Sequence, residues 1–106
     1  MTTSTEVELK ARATRFFSQL DERAFFDWLK RLRCVSNVEG RGDTLFIRVV
    51  ESKVDETALR DLLALFWRYG ISMKQLAVFD KREFADWFQD EGAYWYQSVF
   101  GSRKSG

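Results

Sequence analysis

Pairs of adjacent carboxylates are the groups in this sequence with the clearest chemical potential. Asp21–Glu22, Asp55–Glu56 and Asp90–Glu91 each place two acids side by side. Two carboxyl groups that face one another can run general acid–base chemistry. Each of these pairs, however, lies at the expected end of a helix, where acids stabilise the helix dipole. We therefore interpret all three pairs as capping or solvated groups.

Other catalytic and metal-binding combinations are missing from the chain. It has no histidine, so there is no Ser–His or Cys–His pair and no imidazole ligand. No HExxH or CxxC spacing is present. The glycines of Gly40–Arg41–Gly42–Asp43 lie between two expected strands, so this segment predicts a hairpin turn and not a phosphate loop. We expect a protein that is not an enzyme and that needs no metal or cofactor.

Composition indicates one domain over residues 1–106, with an ordered core over about 6–101 and flexible ends. The single cysteine, Cys34, cannot form an internal disulfide, and we interpret it as a buried small hydrophobe. No signal-peptide layout and no long apolar run is present, so we expect a cytoplasmic protein without a membrane span. The formal net charge is only +1, and basic residues are interspersed with acidic ones along almost every segment, which argues against nonspecific binding to nucleic acid.

Hydrophobic spacing predicts strands and helices in alternation. Apolar and polar residues alternate over residues 7–17, which favours a strand, although the residue types also suit a helix. The further predicted elements are a helix over 18–32, a hairpin over 34–50, a helix over 55–70, a fourth strand over 71–79, a short helix opened by an Asp80–Glu83 capping box, and a helical piece over 93–101. The predicted core positions of the two long helices are Phe25, Leu29, Leu59, Leu62, Leu63 and Phe66.

This order of elements predicts an α+β fold of the ferredoxin-like type. The succession β-α-β-β-α-β would give a four-stranded antiparallel sheet with two helices on one face. A C-terminal aromatic helical appendage follows it. The aromatic residues of the appendage have two interpretations, a lid over the open sheet face or a docking surface for a partner. Phe46 and Arg48 share one face of the third strand, which leaves RNA binding on the sheet as an alternative.

The succession of aromatic and charged segments resembles small bacterial immunity proteins, which accompany contact-dependent growth-inhibition or polymorphic toxins. The segments that carry the resemblance are FFSQLDERAFFDWLKRL, GRGDTLFIRVV, LRDLLALFWRYGISMKQLAVF and WF…YWYQSVFG, and together they span about residues 6–101. The resemblance implies a protein that binds and neutralises a cognate toxin domain, often a nuclease, inside the producing cell. Nuclease inhibitors are often acidic, and this near-neutral chain would then need local acidic patches.

An inhibitor of this kind needs exposed aromatic and charged anchors on a rigid scaffold. Residues predicted to contact the partner lie on the second helix and near the C-terminal appendage: Asp61, Trp67, Arg68, Asp86 and Asp90. Occlusion of an active site and binding at an exosite both stay open. The alternatives are an RNA- or DNA-binding ferredoxin-like module and a small homo-oligomeric regulatory domain, for example a homodimer.

Overall fold

The chain folds into an α+β structure with one antiparallel sheet of three strands among the described residues. The computed structural model describes residues 5–101, and most of the two predicted flexible ends lie outside this range. The elements in chain order are strand β1 (Glu6–Arg12), helix α1 (Gln19–Arg31), strands β2 (Val35–Arg41) and β3 (Thr44–Val50), helix α2 (Glu56–Arg68), and the short helices α3 (Ala85–Phe88) and α4 (Tyr96–Val99). Short 3₁₀ segments span Glu51–Lys53, Met73–Phe79 and Arg82–Phe84.

Strand β3 lies in the centre of the sheet, between β1 and β2, and pairs antiparallel with both. Leu9 lies opposite Ile47, and Val7 lies opposite Val49, so the apolar residues of β1 and β3 share one face. The β2–β3 hairpin turns at Gly42 and Asp43, where only Gly42 has a positive φ, of 61°. A positive φ at the first central residue alone is the pattern of a type II′ turn, which suits the twist of paired strands.

Strand β1 ends earlier than its alternating pattern predicts. The strand stops at Arg12, and Ala13 takes a φ of 50°, in the left-handed region that alanine rarely adopts. The backbone N–H of Ala13 donates to the carbonyl oxygen of Asp43 at 2.7 Å, which holds the chain at the end of the sheet. The segment then leaves the sheet and leads into α1.

Both long helices begin at the predicted capping residues. The Ser18 side chain accepts a hydrogen bond from the N–H of Asp21, and the Asp21 carboxylate in turn accepts from the N–H of Phe17. In the predicted capping box, the Asp21 carboxylate would accept from the N–H of Ser18 itself. In the structure it accepts instead from the residue that precedes Ser18. At the start of α2, the Asp55 side chain accepts from the N–H of Ala58 at 2.8 Å. These side chains satisfy backbone donors that the first turn of a helix leaves free.

Helix α2 ends in a Schellman motif. Gly70 has a φ of 67°, and the N–H of Ile71 donates to the carbonyl oxygen of Phe66 at 2.9 Å. This six-residue closure is the one expected when glycine follows the C-cap. The predicted helix stop at Gly70 is therefore confirmed.

The helices pack on the inner face of the sheet and build the core predicted from their spacing. All six predicted core positions of α1 and α2 are at most 1% exposed. Leu9, Ile47 and Val49 of the sheet are buried in the same cluster, as is Cys34. The opposite face of the sheet carries the charged and half-buried residues of β1 and β3.

The fourth strand that the sequence predicts over 71–79 is wrong, and the complete ferredoxin-like sheet is not formed by residues 5–101. Met73–Phe79 is a 3₁₀ segment instead. Its buried residues are Met73, Leu76 and Phe79. They recur every three positions, which matches the three residues per turn of a 3₁₀ helix and not the period of two in a strand.

The C-terminal appendage is helical, as predicted, but it is built differently. Asp80 does not cap a helix with Glu83, because its carboxylate accepts hydrogen bonds from the Gln89 side chain at 2.7 and 3.0 Å. Helix α4 packs against the Met73–Phe79 segment, which packs against α2. The appendage therefore covers the helical layer, and the interpretation as a lid over the open face of the sheet is wrong.

Candidate functional site

Five large apolar side chains are exposed on the described part of the chain, and two of them touch. These side chains are Phe17, Leu20, Trp67, Val78 and Tyr94. Trp67, 53% exposed at the end of α2, meets Tyr94, 47% exposed, with ring centroids 5.2 Å apart and an interplanar angle of 74°. Edge-to-face contact of this kind is favourable for aromatic pairs. It holds two solvent-facing rings in a defined arrangement.

A stack of side chains from α2 and the appendage supports this exposed pair. The Arg60 guanidinium lies over the Trp87 ring at 4.2 Å and lies 5.9 Å from the Trp95 ring centroid. Arg60 Nε also donates to the Glu56 carboxylate at 2.9 Å, one helical turn earlier. Cation–π contact and the ion pair together fix the guanidinium plane. We call Arg60, Trp67, Trp87 and Tyr94 the aromatic platform.

Trp95 anchors the platform to the core. Its ring is buried, and its Nε1–H donates to the carbonyl oxygen of Phe88 at 2.8 Å. The Trp95 ring contacts Tyr94 at 5.0 Å and Trp87 at 5.8 Å, so it links both parts of the platform. Partial burial raises the pKa of Tyr94, although the nearby Arg60 charge opposes the rise. The Tyr94 hydroxyl therefore remains a neutral hydrogen-bond donor at physiological pH.

The five residues predicted to contact a partner do not form one cluster. Trp67 belongs to the platform, and Asp90 lies close to it, because the Ala93 N–H donates to the Asp90 carbonyl oxygen just before Tyr94. Asp86 is exposed and directly precedes Trp87.

Asp61 and Arg68 lie seven residues, or about two helical turns, apart, so they share one stripe of α2. This stripe is not the one that carries Trp67. Asp61 lines a groove of 730 Å³ together with Arg31 and Arg33, while Arg68 lines another groove, beside Phe17. The structure thus separates these two residues from the predicted residues of the appendage.

The groove beside Asp61 is lined by charged side chains and by Cys34. Its walls carry charges of both signs, from Arg31, Arg33, Lys53, Asp55 and Asp61. Cys34 also lines the groove, but its side chain is fully buried, and burial raises the pKa of its thiol. A buried protonated thiol is a poor nucleophile.

Sequence reasoning missed an exposed apolar pair at the start of α1. Phe17 is 84% exposed and Leu20 is 74% exposed. Both residues lie off the helical stripe of Phe25, Leu29 and Leu32, which packs into the core. Their position off this stripe was the sequence signal that could have identified them as exposed. Phe17 shares its groove with Arg15 and Arg68, so a second apolar surface flanked by arginine lies at this end of the helical layer.

The outer face of the sheet carries one aromatic residue among charges. Phe46 is half-buried, with the Arg41 guanidinium 4.3 Å and the Lys10 ammonium 5.7 Å from its ring centroid. Arg48 lies 3.6 Å from the Glu6 carboxylate and 4.0 Å from the Glu8 carboxylate. Phe46 and Arg48 do share this face, as their spacing predicts, but each already has partners within the chain.

Residues 5–101 contain no group of three or more acidic, cysteine or histidine side chains that could hold a metal ion, and no helix in this range is long and apolar enough to cross a membrane. Comparisons with protein-family models, curated proteins and solved structures give no significant match to this chain. The aromatic platform is therefore the candidate site on geometric grounds alone.

Proposed function

We propose that this chain is an immunity protein, which binds a cognate toxin domain stoichiometrically through the aromatic platform and neutralises it in the cell that makes both. The observation that carries the proposal is the exposed Trp67–Tyr94 pair, held in place by Arg60, Trp87 and the buried Trp95. Tryptophan, tyrosine and arginine are the residues most enriched among interface hot spots. The mechanism requires no catalytic group, only a surface that blocks the toxin.

Rigidity of the platform is the physical reason that it suits tight binding. A side chain that must be ordered on association costs about 0.5–1.5 kcal/mol of binding free energy. Trp67 and Tyr94 already restrain one another, and Trp95 restrains Tyr94 from the core side. Much of the ordering cost is therefore met during folding, and an interface of about 800 Å² per partner becomes sufficient for stable binding.

The charges beside the platform favour a basic partner, such as the nucleic-acid-binding cleft of a nuclease. Asp86 precedes Trp87, and Asp90 and Glu91 precede Tyr94; all three acids are exposed. Within residues 5–101, none of the three takes part in an ion pair. These unpaired acids supply the local acidic patch that a near-neutral inhibitor needs, and they would accelerate association with a basic surface.

Co-expression with the toxin encoded by a neighbouring gene tests this proposal. We expect the wild-type chain to copurify with the toxin and to protect growth, and Trp67→Ala or Tyr94→Ala to weaken affinity by about 30-fold or more, as for a hot-spot residue. Phe46→Ala is the matched control, because it truncates a half-buried ring on the outer face of the sheet, whereas the platform lies on α2 and the appendage. Failure of the wild-type chain to protect growth or to copurify would refute the proposal.

The acids are tested separately from the rings. We expect Asp86→Lys to slow association with the toxin and to leave the melting temperature unchanged. Asp90→Lys also removes the hydrogen bond from the Gly92 N–H to the Asp90 carboxylate, so its melting temperature must be measured beside its affinity. Unchanged association rates for both variants would contradict a basic partner surface. The purified chain alone should show no turnover.

Binding of single-stranded nucleic acid on the outer sheet face is a second candidate. The grouping of Phe46 with Lys10 and Arg41 favours it, because such binding combines an aromatic base platform with basic residues. The ion pairs of Arg48 and the net charge of +1 argue against it. We expect weak binding to generic RNA or DNA at physiological salt; submicromolar affinity with a steep salt dependence, lost in Phe46→Ala, would favour this candidate instead.

A further inference from the structure

Strand β1 lies at one edge of the three-stranded sheet. Its backbone N–H and C=O groups point alternately towards β3 and away from the sheet. Thr5 and Ala13, at the two ends, bond towards the β3 side, to Glu51 and Asp43. Because the direction alternates along a strand, the backbone groups of the even-numbered residues of β1 point away from the sheet. Edges of this kind can pair with another strand unless the fold covers them.

The side chain of Gln75 covers this edge at Lys10. The Lys10 N–H donates to Gln75 Oε1 at 2.7 Å, and Gln75 Nε2 donates to the Lys10 carbonyl oxygen at 2.8 Å. The carboxamide thus makes the same two bonds that the N–H and the C=O of one residue in a neighbouring antiparallel strand would make. Gln75 Nε2 also donates to the carbonyl oxygen of Ser72 at 2.9 Å, which fixes its orientation. The segment that carries Gln75 packs against α2 and α4, so the side chain reaches the edge from the helical layer.

The charges of β1 are self-complementary. In an antiparallel pair of two β1 strands centred on Leu9, Glu6 lies opposite Arg12 and Glu8 lies opposite Lys10. Opposite charges across a strand pair are favourable, and like charges are unfavourable. This register also pairs even-numbered residues with one another, so the outward-pointing backbone groups meet.

Registers that avoid Lys10 lack this advantage. A pair centred on Val7 would use only the edge left open by Gln75, but it would place Glu6 opposite Glu8 of the second chain. The register with matching charges requires the backbone of Lys10, and Gln75 occupies that backbone. We propose that the β1 edge is a pairing edge for a second copy of this chain, and that the Gln75 carboxamide closes it and keeps the protein monomeric.

The experiment measures self-association of Gln75→Ala and of the wild-type chain by sedimentation over a wide concentration range. We expect the wild-type chain not to dimerise through this edge. Gln75→Ala should self-associate with at least about tenfold higher affinity than the wild-type chain, since the opened edge gains several intermolecular hydrogen bonds. Gln89→Ala is the matched control, because the Gln89 side chain bonds to Asp80 and not to the sheet. It should behave as wild type. Equal association of Gln75→Ala and wild type would overturn the proposal.

Charge variants in the Gln75→Ala background identify the surface used. Lys10→Glu should abolish the dimer, because it places two acids opposite one another, and the exchange Glu8→Lys with Lys10→Glu should restore it. A dimer that is indifferent to Lys10→Glu uses another surface, which contradicts the inference.

Hydrogen exchange of the wild-type chain tests the closure without any variant. The Lys10 amide should exchange more slowly than the Glu8 amide on the same edge; equal rates would show that Gln75 does not close it.

Discussion

Removal of the Arg60 side chain should destabilise the aromatic platform by a predictable amount. The guanidinium lies 4.2 Å from the Trp87 ring centroid, and its side chain is 46% exposed. A cation–π contact that is partly exposed contributes about 0.5–1 kcal/mol. The ion pair with Glu56, at i and i+4, contributes about 0.3–0.5 kcal/mol. We therefore expect Arg60→Ala to lower the free energy of unfolding by about 0.8–1.5 kcal/mol in total.

A double-mutant cycle isolates the ring contact from the ion pair. Urea unfolding followed by tryptophan fluorescence would be measured for Arg60→Ala, Trp87→Leu and the double variant. We expect a coupling energy of about 0.5–1 kcal/mol that persists at high salt, whereas the contribution of the Glu56 ion pair is screened.

The control cycle combines Arg60→Ala with Phe46→Ala, because Phe46 lies on the outer face of the sheet, where its ring contacts Lys10 and Arg41. Its coupling energy should be close to zero. A coupling between Arg60 and Trp87 that is no larger than this control would refute the stacked arrangement, and with it the argument that the platform is ordered before binding.

The remaining predictions concern the scaffold. Leu63→Ala should cost about 2–5 kcal/mol of unfolding free energy, because Leu63 is fully buried, while Thr57→Ala on the exposed side of the same helix should stay within about 0.5 kcal/mol of wild type in urea unfolding. Gly70→Ala should cost about 1 kcal/mol, because φ at this position is 67°; an unchanged melting temperature would contradict the Schellman closure. Cys34 should react with iodoacetamide far more slowly in the native chain than in urea, since its thiol is buried and its pKa is raised by that burial.

Local signals in the sequence were sufficient for the two long helices and the hairpin. Ser18 and Asp55 cap the helices, Gly70 ends the second one, and the apolar spacing selects Leu62 and Leu63 for the core. These features depend on neighbours within a few residues, so the chain encodes them locally. The same holds for the turn at Gly42, where a positive φ is needed.

Only the tertiary structure decided the fate of residues 71–79 and the composition of the candidate site. A short apolar run fits a strand or a helical turn equally well, and here packing against α2 and α4 selects a 3₁₀ segment, while the Gln75 side chain bonds to the edge where another strand could pair. The platform joins Arg60 and Trp67 to Trp87 and Tyr94, at least 20 residues further along the chain. No local pattern encodes such a contact, because it depends on how the C-terminal segment folds back over the second helix.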